Sequence, residues 1–288
     1  MQRPITLGVD IGGSHITAAL VDIETSSLIV NSIQRRAVDS GALSLTILDA
    51  WCDVINAAYK GYETLTKNIG IAMPGPFDYE NGICLIEEQI KFRALYGLNL
   101  KEELAMRLAI PASNINFMND AAGFLQGEVF AGDCKNVNKA IGLTLGTGLG
   151  AAIYTNGIAT DAALWNSPFL NGIAEDYLST RWFVKRYAQL SGKVIDGVRD
   201  LAALVTDDLA AKQVFNEFGA NFATFLMPLI RKHRADVVMI GGNIAQTFPV
   251  FSPYLFEVLE RNQFKASIKI TVLKEHAALI GAASCYQI

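Results

Sequence analysis

The sequence predicts an α/β protein built from two similar domains, and three observations support this fold class. Short runs of aliphatic and β-branched residues alternate with segments whose apolar residues recur at helical spacing. Several of the apolar runs lead into turns rich in glycine, such as Gly12-Gly13 and Gly146-Thr147-Gly148. The two hairpins that contain these turns share one pattern, which indicates a repeated unit.

The first hairpin has the turn Gly12-Gly13-Ser14 between two predicted strands. Glycines allow backbone N–H groups to approach a ligand closely, and several such groups pointing one way bind an anion, usually phosphate. Asp10 leads into the turn, where a carboxylate beside phosphates makes sense mainly with a divalent cation between them. From this stretch alone, a phosphate and metal site and a plain turn with a solvated Asp10 are equally open.

The remaining periodicities predict an alternation of strands and helices along the whole chain. Strands are predicted at residues 6–9, 16–21, 28–35, 68–73, 114–118, 236–240 and 267–273, and a second hairpin at 141–154. Helices are predicted at residues 43–60, 100–108, 121–130, 177–190 and 277–285. Another helix carries a buried phenylalanine stripe, spaced by three and four residues: Phe215, Phe218, Phe222 and Phe225.

Polar residues and tight turns follow the predicted strands, where α/β proteins commonly bind ligands. Asn119 and Asp120 come directly after strand 114–118 and open a predicted helix, whose N-terminus favours an ionised carboxylate. Asp120 as a simple helix N-cap is the alternative. Gly75 lies between two prolines in the turn after strand 68–73.

The second hairpin repeats the first, because Gly8, Gly12 and Ala18 recur at the same spacing as Gly142, Gly146 and Ala152. Two sheets that each present a phosphate-binding turn predict two domains facing one another across a cleft. We expect an N-terminal domain of residues 1–118, with residues 276–288 packing back on it, and a C-terminal domain of residues 119–275. A third glycine turn, Gly241-Gly242-Asn243, follows strand 236–240.

Composition excludes several function classes. The chain has 24 Lys and Arg against 28 Asp and Glu, a net charge of −4, which disfavours nucleic acid or an anionic membrane as the main partner. No apolar run approaches the length of a membrane span. The four cysteines are scattered without paired spacing, which is typical of reduced thiols in a cytoplasmic protein.

The order of these turns resembles the sugar kinase, actin and Hsp70 superfamily, and more closely the ROK family of sugar kinases and regulators. Any one glycine turn is a weak signal, whereas the whole series in order is specific. The matching segments are Asp10-Ile11-Gly12-Gly13-Ser14, Ile71-Ala72-Met73-Pro74-Gly75-Pro76, Asn119-Asp120-Ala121, Gly146-Thr147-Gly148-Leu149-Gly150, Gly241-Gly242-Asn243 and Ala277-Ala278-Leu279-Ile280-Gly281-Ala282-Ala283.

The resemblance implies two actin-like (ribonuclease H-like) domains with mixed sheets flanked by helices and an active site in the interdomain cleft. It implies a kinase that transfers the γ-phosphate of ATP to a hydroxyl of a hexose or an N-acyl amino sugar. Dimers are common in such families, so a cytoplasmic homodimer is expected.

The resemblance also implies a set of site residues. Asp120 is the expected general base, and Asp10 is expected to hold Mg²⁺ directly or through water. The sugar-side residues are Gly75, Asn119, Asp120 and Glu175. The residues expected to bind ATP and its phosphates are Asp10, Gly12, Gly13, Ser14, Gly146, Thr147, Gly148, Gly241 and Gly242.

The acceptor side departs from the family pattern. Family members usually carry a Glu, a Gly-His and a zinc-binding cysteine cluster, but residues 161–179 contain no Cys and no His, so no structural zinc is expected. Glu175 falls where the family has the Glu that ends its cysteine motif. The usual sugar-contacting Asn before the helix at residues 100–108 is also missing; Glu87, Glu88, Gln89 and Lys91 occupy that neighbourhood.

Two other functions are open at this point. A non-catalytic sugar-binding regulator of the same fold is one, although the first hairpin begins at Leu7, which disfavours an N-terminal helix-turn-helix. Such a module predicts decay at Asp10, Asp120 or the glycine turns, and none shows decay. A superfamily relative acting on a carboxylate or polyol is the other.

Overall fold

The computed structural model of the protein describes residues 4–87 and 91–287. Glu88 and Gln89, two of the residues that replace the expected sugar-contacting Asn, lie outside the described residues. Within the described ranges, no helix combines the length and the apolar character needed to cross a bilayer.

The described residues form strands and helices in the alternation that the sequence predicts. The strands are β1 (Ile5–Gly12), β2 (His15–Asp22), β3 (Ser27–Leu28), β4 (Gln34–Ala37), β5 (Ile69–Met73), β6 (Phe77–Asp78), β7 (Ile83–Cys84), β8 (Ile115–Asn119), β9 (Lys139–Leu145), β10 (Leu149–Thr155), β11 (Ile158–Asp161), β12 (Pro168–Phe169), β13 (Gly172–Ile173), β14 (Val237–Gly241) and β15 (Ile268–Ile270). The helices are α1 (Ser44–Ala58), α2 (Leu100–Leu108), α3 (Asp120–Phe130), α4 (Ala174–Tyr177), α5 (Thr180–Ser191), α6 (Val198–Leu204), α7 (Leu209–His233), α8 (Phe248–Arg261) and α9 (Ala277–Ser284).

The chain divides into two compact units. Unit 1 contains the described residues up to Lys135 and those from Glu275 onward, and unit 2 contains Asn136–Lys274. The division falls after α3 and not at Met118, because α3 packs on α9 at very close range. A Cβ placed on Gly281 of α9 would lie 1.9 Å from the carbonyl oxygen of Gly123 in α3, so only glycine allows this approach.

Unit 1 is built on a mixed sheet. Its strand order is β3-β2-β1-β5-β8, with β4 also paired to β2. Strands β1 and β2 are antiparallel, whereas β1, β5 and β8 run parallel to one another. The carboxyl ends of β1, β5 and β8 therefore meet at one edge of the sheet, where ligands bind in open α/β sheets.

Unit 2 repeats this topology in the order β11-β10-β9-β14-β15. Strands β9 and β10 are antiparallel, and β9, β14 and β15 are parallel. Each unit thus has three antiparallel strands followed by two parallel ones added beside the first strand. The repeat that the sequence predicts is present in the backbone.

Each unit has its own hydrophobic core. In unit 1, Trp51 of α1 is fully buried among the residues packed on the sheet. In unit 2, the predicted phenylalanine stripe lies on α7 and forms the centre of the core. The ring centroids of Phe183 and Phe218 are 4.5 Å apart, which is close aromatic packing.

Two predicted elements are divided in the structure. The predicted strand at residues 28–35 is β3, a short 3-10 turn at Val30–Ser32 and β4. The buried Ser32 hydroxyl accepts a hydrogen bond from the Leu20 N–H at 2.8 Å and donates to the Ile29 carbonyl, which bends the chain out of the strand. The predicted helix at residues 177–190 is interrupted between α4 and α5.

Candidate functional site

The edge of the unit 1 sheet gathers the residues for which the sequence predicts chemistry. Asp10 lies near the end of β1 and pairs in parallel register with Ala72 of β5. Asn119 ends β8 and pairs with Met73, the last residue of β5. Strand register therefore brings Asp10 and the Asn119-Asp120 pair to one edge, as expected for residues that follow parallel strands.

The first glycine turn, Gly12 to Ser14, closes the β1–β2 hairpin at this edge. Gly12 and His15 form the last strand pair, so Gly13 and Ser14 are the two turn residues. A Cβ placed on Gly13 would lie 2.5 Å from Nζ of Lys91, so this exposed ammonium group lies directly against the turn. A cation at a turn of exposed backbone N–H groups strengthens the attraction for phosphate.

Asp10 is the most strongly perturbed carboxyl group in this arrangement. Its pKa is raised from 3.8 to about 7, mainly by burial and then by the nearby charge of Asp120, while Arg35 opposes the shift. Arg35 itself forms an ion pair with Glu275, whose Oε2 lies 2.6 Å from Nη1 of Arg35. When two carboxyl groups lie close together in a partly desolvated site, the ionised form of one disfavours ionisation of the other.

A divalent cation fits this pair of carboxyl groups. Mg²⁺ binds through one or two carboxylates together with water and substrate phosphates, and its charge reverses the electrostatic cost of two neighbouring carboxylates. Among residues 4–87 and 91–287, no cluster of three or more His, Cys, Asp and Glu side chains could enclose a metal by itself. Asp10 and the adjacent glycine turn suit a Mg²⁺ that arrives with a phosphate ligand.

Asn119 is fixed at the start of α3. Its Oδ1 accepts hydrogen bonds from the N–H groups of Ala121 and Ala122 at 2.9 and 3.2 Å, so Asn119, and not Asp120, is the N-cap. Its Nδ2 donates to the hydroxyl of Tyr79 at 3.2 Å. This side chain is 9% exposed and holds the entry to the helix rigidly.

Asp120 is the first residue of α3 and stands beside this cap. Its Oδ1 accepts a hydrogen bond from the Ala121 N–H at 2.8 Å, which orients the carboxylate. The positive end of the helix dipole favours the ionised form of a carboxylate in the first turn. Asp120 is half-buried, so a substrate can reach it.

Tyr79 connects the turn at Gly75 to Asn119. Its hydroxyl donates to the Met73 carbonyl at 3.1 Å and accepts from Asn119, so one phenol ties the ends of β5 and β8 together. A Cβ on Gly75 would lie 3.1 Å from the same hydroxyl. Sequence patterns do not single out Tyr79, because it lies in a loop without periodicity.

The second glycine turn, Gly146 to Gly148, closes the β9–β10 hairpin in unit 2. Leu145 and Leu149 form the last strand pair, which leaves three residues in the turn. The Gly146 carbonyl accepts hydrogen bonds from both the N–H and the hydroxyl of Thr180, at 2.8 and 2.9 Å. Beyond its own chain neighbours, no atom of the described residues lies within 4 Å of a Cβ placed on Gly146, so this face of the turn is open to a ligand.

Glu175 holds the far side of the second turn. Its Oε2 accepts a hydrogen bond from the Leu149 N–H at 3.0 Å and would lie 2.5 Å from a Cβ on Gly148. Its Oε1 forms an ion pair with Arg181 at 2.5 Å. Both carboxylate oxygens of Glu175 are thus engaged within unit 2, and the sugar contact predicted for Glu175 stays a prediction.

The third glycine turn packs against the second. Gly242 has φ of 84°, and a Cβ there would lie 2.3 Å from the carbonyl oxygen of Leu145. Only glycine satisfies both the positive φ and this close approach. Gly241 ends β14 and pairs with Thr144 of β9, so the turn is anchored at the carboxyl end of a buried strand.

A family profile identifies the chain. The profile of the ROK family matches residues 6–162, more than half of the 288 residues. The protein belongs to the ROK family. The resemblance that the sequence motifs indicate is therefore confirmed.

Solved structures agree with the fold of this ROK protein. It is similar to a ROK family glucokinase from Streptomyces griseus in complex with glucose and AMPPNP, with a TM-score of 0.77, 22% identity and 98% of each chain covered. At this level of identity the likeness shows the fold alone. The predicted fold class, two actin-like units with mixed sheets flanked by helices, is confirmed.

Curated relatives of this ROK protein are named as sugar kinases. The glucokinase of Thermotoga maritima is 30% identical over 157 residues, which cover 54% of this chain and 46% of the relative. The match thus spans less than half the length of that glucokinase. The beta-glucoside kinase of Listeria innocua is 26% identical over 298 residues, covering 95% of this chain and 94% of the relative.

Proposed function

We propose that this ROK protein is an ATP-dependent sugar kinase that transfers the γ-phosphate of ATP to a hydroxyl of a hexose or an N-acyl amino sugar. The observation that carries the proposal is the meeting of Asp10 and Asp120 beside the first glycine turn, with the pKa of Asp10 raised to about 7. A pair of carboxyl groups with different environments is typical of sites that separate metal binding from proton transfer. The names of the curated relatives support the same reaction.

Asp120 is assigned as the general base. Its carboxylate is oriented by the Ala121 N–H and accepts the proton of the sugar hydroxyl as that oxygen attacks the γ-phosphorus. Asn119 and Gly75 are assigned to the sugar side, where Tyr79 fixes their relative positions. Glu175 is assigned to the sugar as well, on the family resemblance alone.

The phosphate side is assigned to the glycine turns. In unit 1, Gly12, Gly13 and Ser14 bind phosphate oxygens through backbone N–H groups, and Asp10 holds Mg²⁺ directly or through water. When bound, Mg²⁺ neutralises charge on the transferred phosphoryl group. In unit 2, the nucleotide-binding residues are Gly146, Thr147, Gly148, Gly241 and Gly242.

A coupled assay of ADP release over hexoses, N-acyl amino sugars and polyols tests the proposal. Asp120→Asn should lower kcat by about 100- to 10,000-fold, the usual contribution of general base catalysis, and should leave ATP binding within about twofold. Asp53→Asn on the exposed face of α1 removes the same charge away from the site and is the matched control.

Turnover that survives Asp120→Asn contradicts the assignment of the base. No ADP release with any acceptor, from a protein that binds ATP tightly, favours the non-catalytic sugar-binding regulator. Dimer formation and a cytoplasmic location also stay predictions, and light scattering of the purified protein tests the first.

A further inference from the structure

Unit 2 contains a cavity that the proposed reaction does not use. It has a volume of about 690 Å³ and lies between the β12–β13 hairpin, α5 and α7. This volume is in the range of small-molecule sites, which run from about 300 to 1,000 Å³. None of the residues assigned to ATP, to Mg²⁺ or to the sugar lines this cavity.

Ser179 gives the cavity an unsatisfied polar group. It lines the cavity and is fully buried, yet its hydroxyl has no hydrogen-bond partner among the described residues. Ser179 occupies the N-cap position of α5, where a serine hydroxyl ordinarily accepts a bond from the helix, but this side chain makes no such bond. Buried hydroxyls nearly always have a partner, so a ligand group or a water molecule that bonds this one is expected.

Two charged side chains of the lining, Lys185 and Asp176, form no ion pair within the described residues. Arg186 is neutralised by Glu217, through bonds of 2.6 and 2.8 Å to its two carboxylate oxygens. Arg181 is paired with Glu175, whereas the carboxylate of Asp176 accepts only the neutral Ile173 N–H, at 3.1 Å, and keeps its charge. Lys185, on the same face of α5 as Arg181, forms no ion pair within residues 4–87 and 91–287.

The other polar side chains that line the cavity are suited to bind hydroxyl groups of a ligand. The amide side chains of Asn171, Gln189 and Asn221 can each donate and accept hydrogen bonds. An ammonium group, several amides and an unpartnered hydroxyl together match a ligand that has one anionic group and several hydroxyls.

We propose that this cavity binds a small polyhydroxylated anion of the sugar phosphate class. Lys185 binds the anionic group, and Ser179 and the amides bind the hydroxyls. The site stands apart from the proposed phosphotransfer, because its occupancy requires neither ATP nor turnover.

Titration calorimetry without nucleotide tests the site, with glucose 6-phosphate, inorganic phosphate and glucose as separate probes. We expect glucose 6-phosphate to bind at least about tenfold more tightly than either other probe, because it engages both kinds of lining group. Lys185→Ala should weaken this binding by about tenfold, the usual loss for a charge-assisted hydrogen bond. Lys212→Ala, an exposed lysine of α7 that does not line the cavity, is the matched control and should change nothing.

Asp120→Asn separates this site from the proposed sugar site. Binding that is retained in Asp120→Asn and weakened in Lys185→Ala supports the cavity, whether or not the protein proves to be a kinase. Binding that Lys185→Ala leaves unchanged overturns the proposal, as does equal affinity for inorganic phosphate. Both outcomes can be interpreted because Lys185 is exposed, so Lys185→Ala should fold as wild type does. Circular dichroism should show an unchanged melting curve for this variant.

Discussion

The two glycine turns occupy the same place in two units of the same topology, but their surroundings differ. Each closes the hairpin between the first two strands of a sheet, in β1–β2 and in β9–β10. Two positions before the first glycine of the turn, unit 1 has Asp10 and unit 2 has Thr144. The first turn has the ammonium group of Lys91 against it, whereas the second is backed by the carboxylate of Glu175.

Under the proposed kinase function, this difference gives one scaffold two chemical tasks. A carboxylate, a cation and backbone N–H groups at the first turn suit the reacting phosphate and its metal. The second turn has hydrogen bonds from Thr180 and to Glu175 on its protein side and an open outer face, which suits a turn that is held in shape for binding. Substitutions in the two turns should therefore have different effects on the protein.

The largest expected effect concerns Asp10 and pH. Its folded-state pKa of about 7 exceeds the ordinary value of 3.8, so the folded protein binds this proton more tightly than the unfolded chain. The stabilisation is fully present below about pH 4 and is lost as the pH rises to about 7. Asp10→Asn does not titrate, so its stability relative to wild type should rise across this range by on the order of a few kcal/mol.

Urea unfolding at about pH 4, 6 and 8 without divalent cations measures this difference. The exposed-charge variant Asp53→Asn should follow wild type at every pH. Added Mg²⁺ should restore wild-type stability at about pH 8 and should not affect Asp10→Asn. If the free energy of unfolding depends on pH in the same way for wild type and Asp10→Asn, Asp10 is not held in a desolvated pair.

The next largest effect is expected from alanine substitutions at one glycine of each hairpin. A Cβ at Gly8 in β1 would lie 2.0 Å from the carbonyl oxygen of Leu279 in α9, whereas a Cβ at Gly146 meets no atom within 4 Å in the part of the chain that the structure describes. Gly8→Ala should lower the free energy of unfolding by about 1–3 kcal/mol, because backbone must move. Gly146→Ala should leave stability within about 0.5 kcal/mol and weaken ATP binding, because the methyl group occupies the open face.

Thermal unfolding and ATP titration of both variants decide the comparison. If Gly146→Ala binds ATP as wild type does, the second turn does not approach phosphate closely. If Gly8→Ala unfolds at the wild-type temperature, the close contact between β1 and α9 relaxes at no cost.

A third effect tests the cation at the first turn. Lys91→Met keeps the length of the side chain and removes its charge, and it should raise the KM for ATP by about tenfold, since a charge-assisted hydrogen bond contributes about 1.5–3 kcal/mol. Lys60→Met, an exposed lysine beyond α1, is the control. An unchanged KM and kcat in Lys91→Met would show that Lys91 does not belong to the phosphate site.

Much of this scaffold could be predicted from sequence, for an identifiable reason. The strands of both hairpins and the phenylalanine stripe of α7 have regular periodicities, and the glycine turns have few backbone alternatives. The placement of Asp10 and Asp120 at one edge then follows from parallel strand order.

Other features depend on tertiary contacts that no local pattern encodes. Ser32 divides a predicted strand through a hydrogen bond to Leu20, a residue of the neighbouring strand. Tyr79 and Lys91 lie in irregular segments, so their positions beside Asn119 and Gly13 emerge only when the chain has folded. Helices α6 and α8 lie outside the helices that the sequence predicts, and α8 contains Pro253 within its span, a residue that ordinarily ends helices.

The smallest effect concerns Glu175, for which sequence and structure indicate different roles. Family resemblance assigns Glu175 to the sugar, but its carboxylate accepts the Leu149 N–H and pairs with Arg181 behind the second turn. Glu175→Gln keeps an acceptor oxygen and loses the ion pair. If the side chain positions the turn, the variant should raise the KM for ATP by about fivefold, near 1 kcal/mol, with little change in the KM for sugar. Arg181→Gln, which breaks the same pair from its exposed partner, should reproduce the effect in part. If Glu175→Gln raises only the KM for sugar, Glu175 binds the sugar, and Thr180 is the main support of the turn.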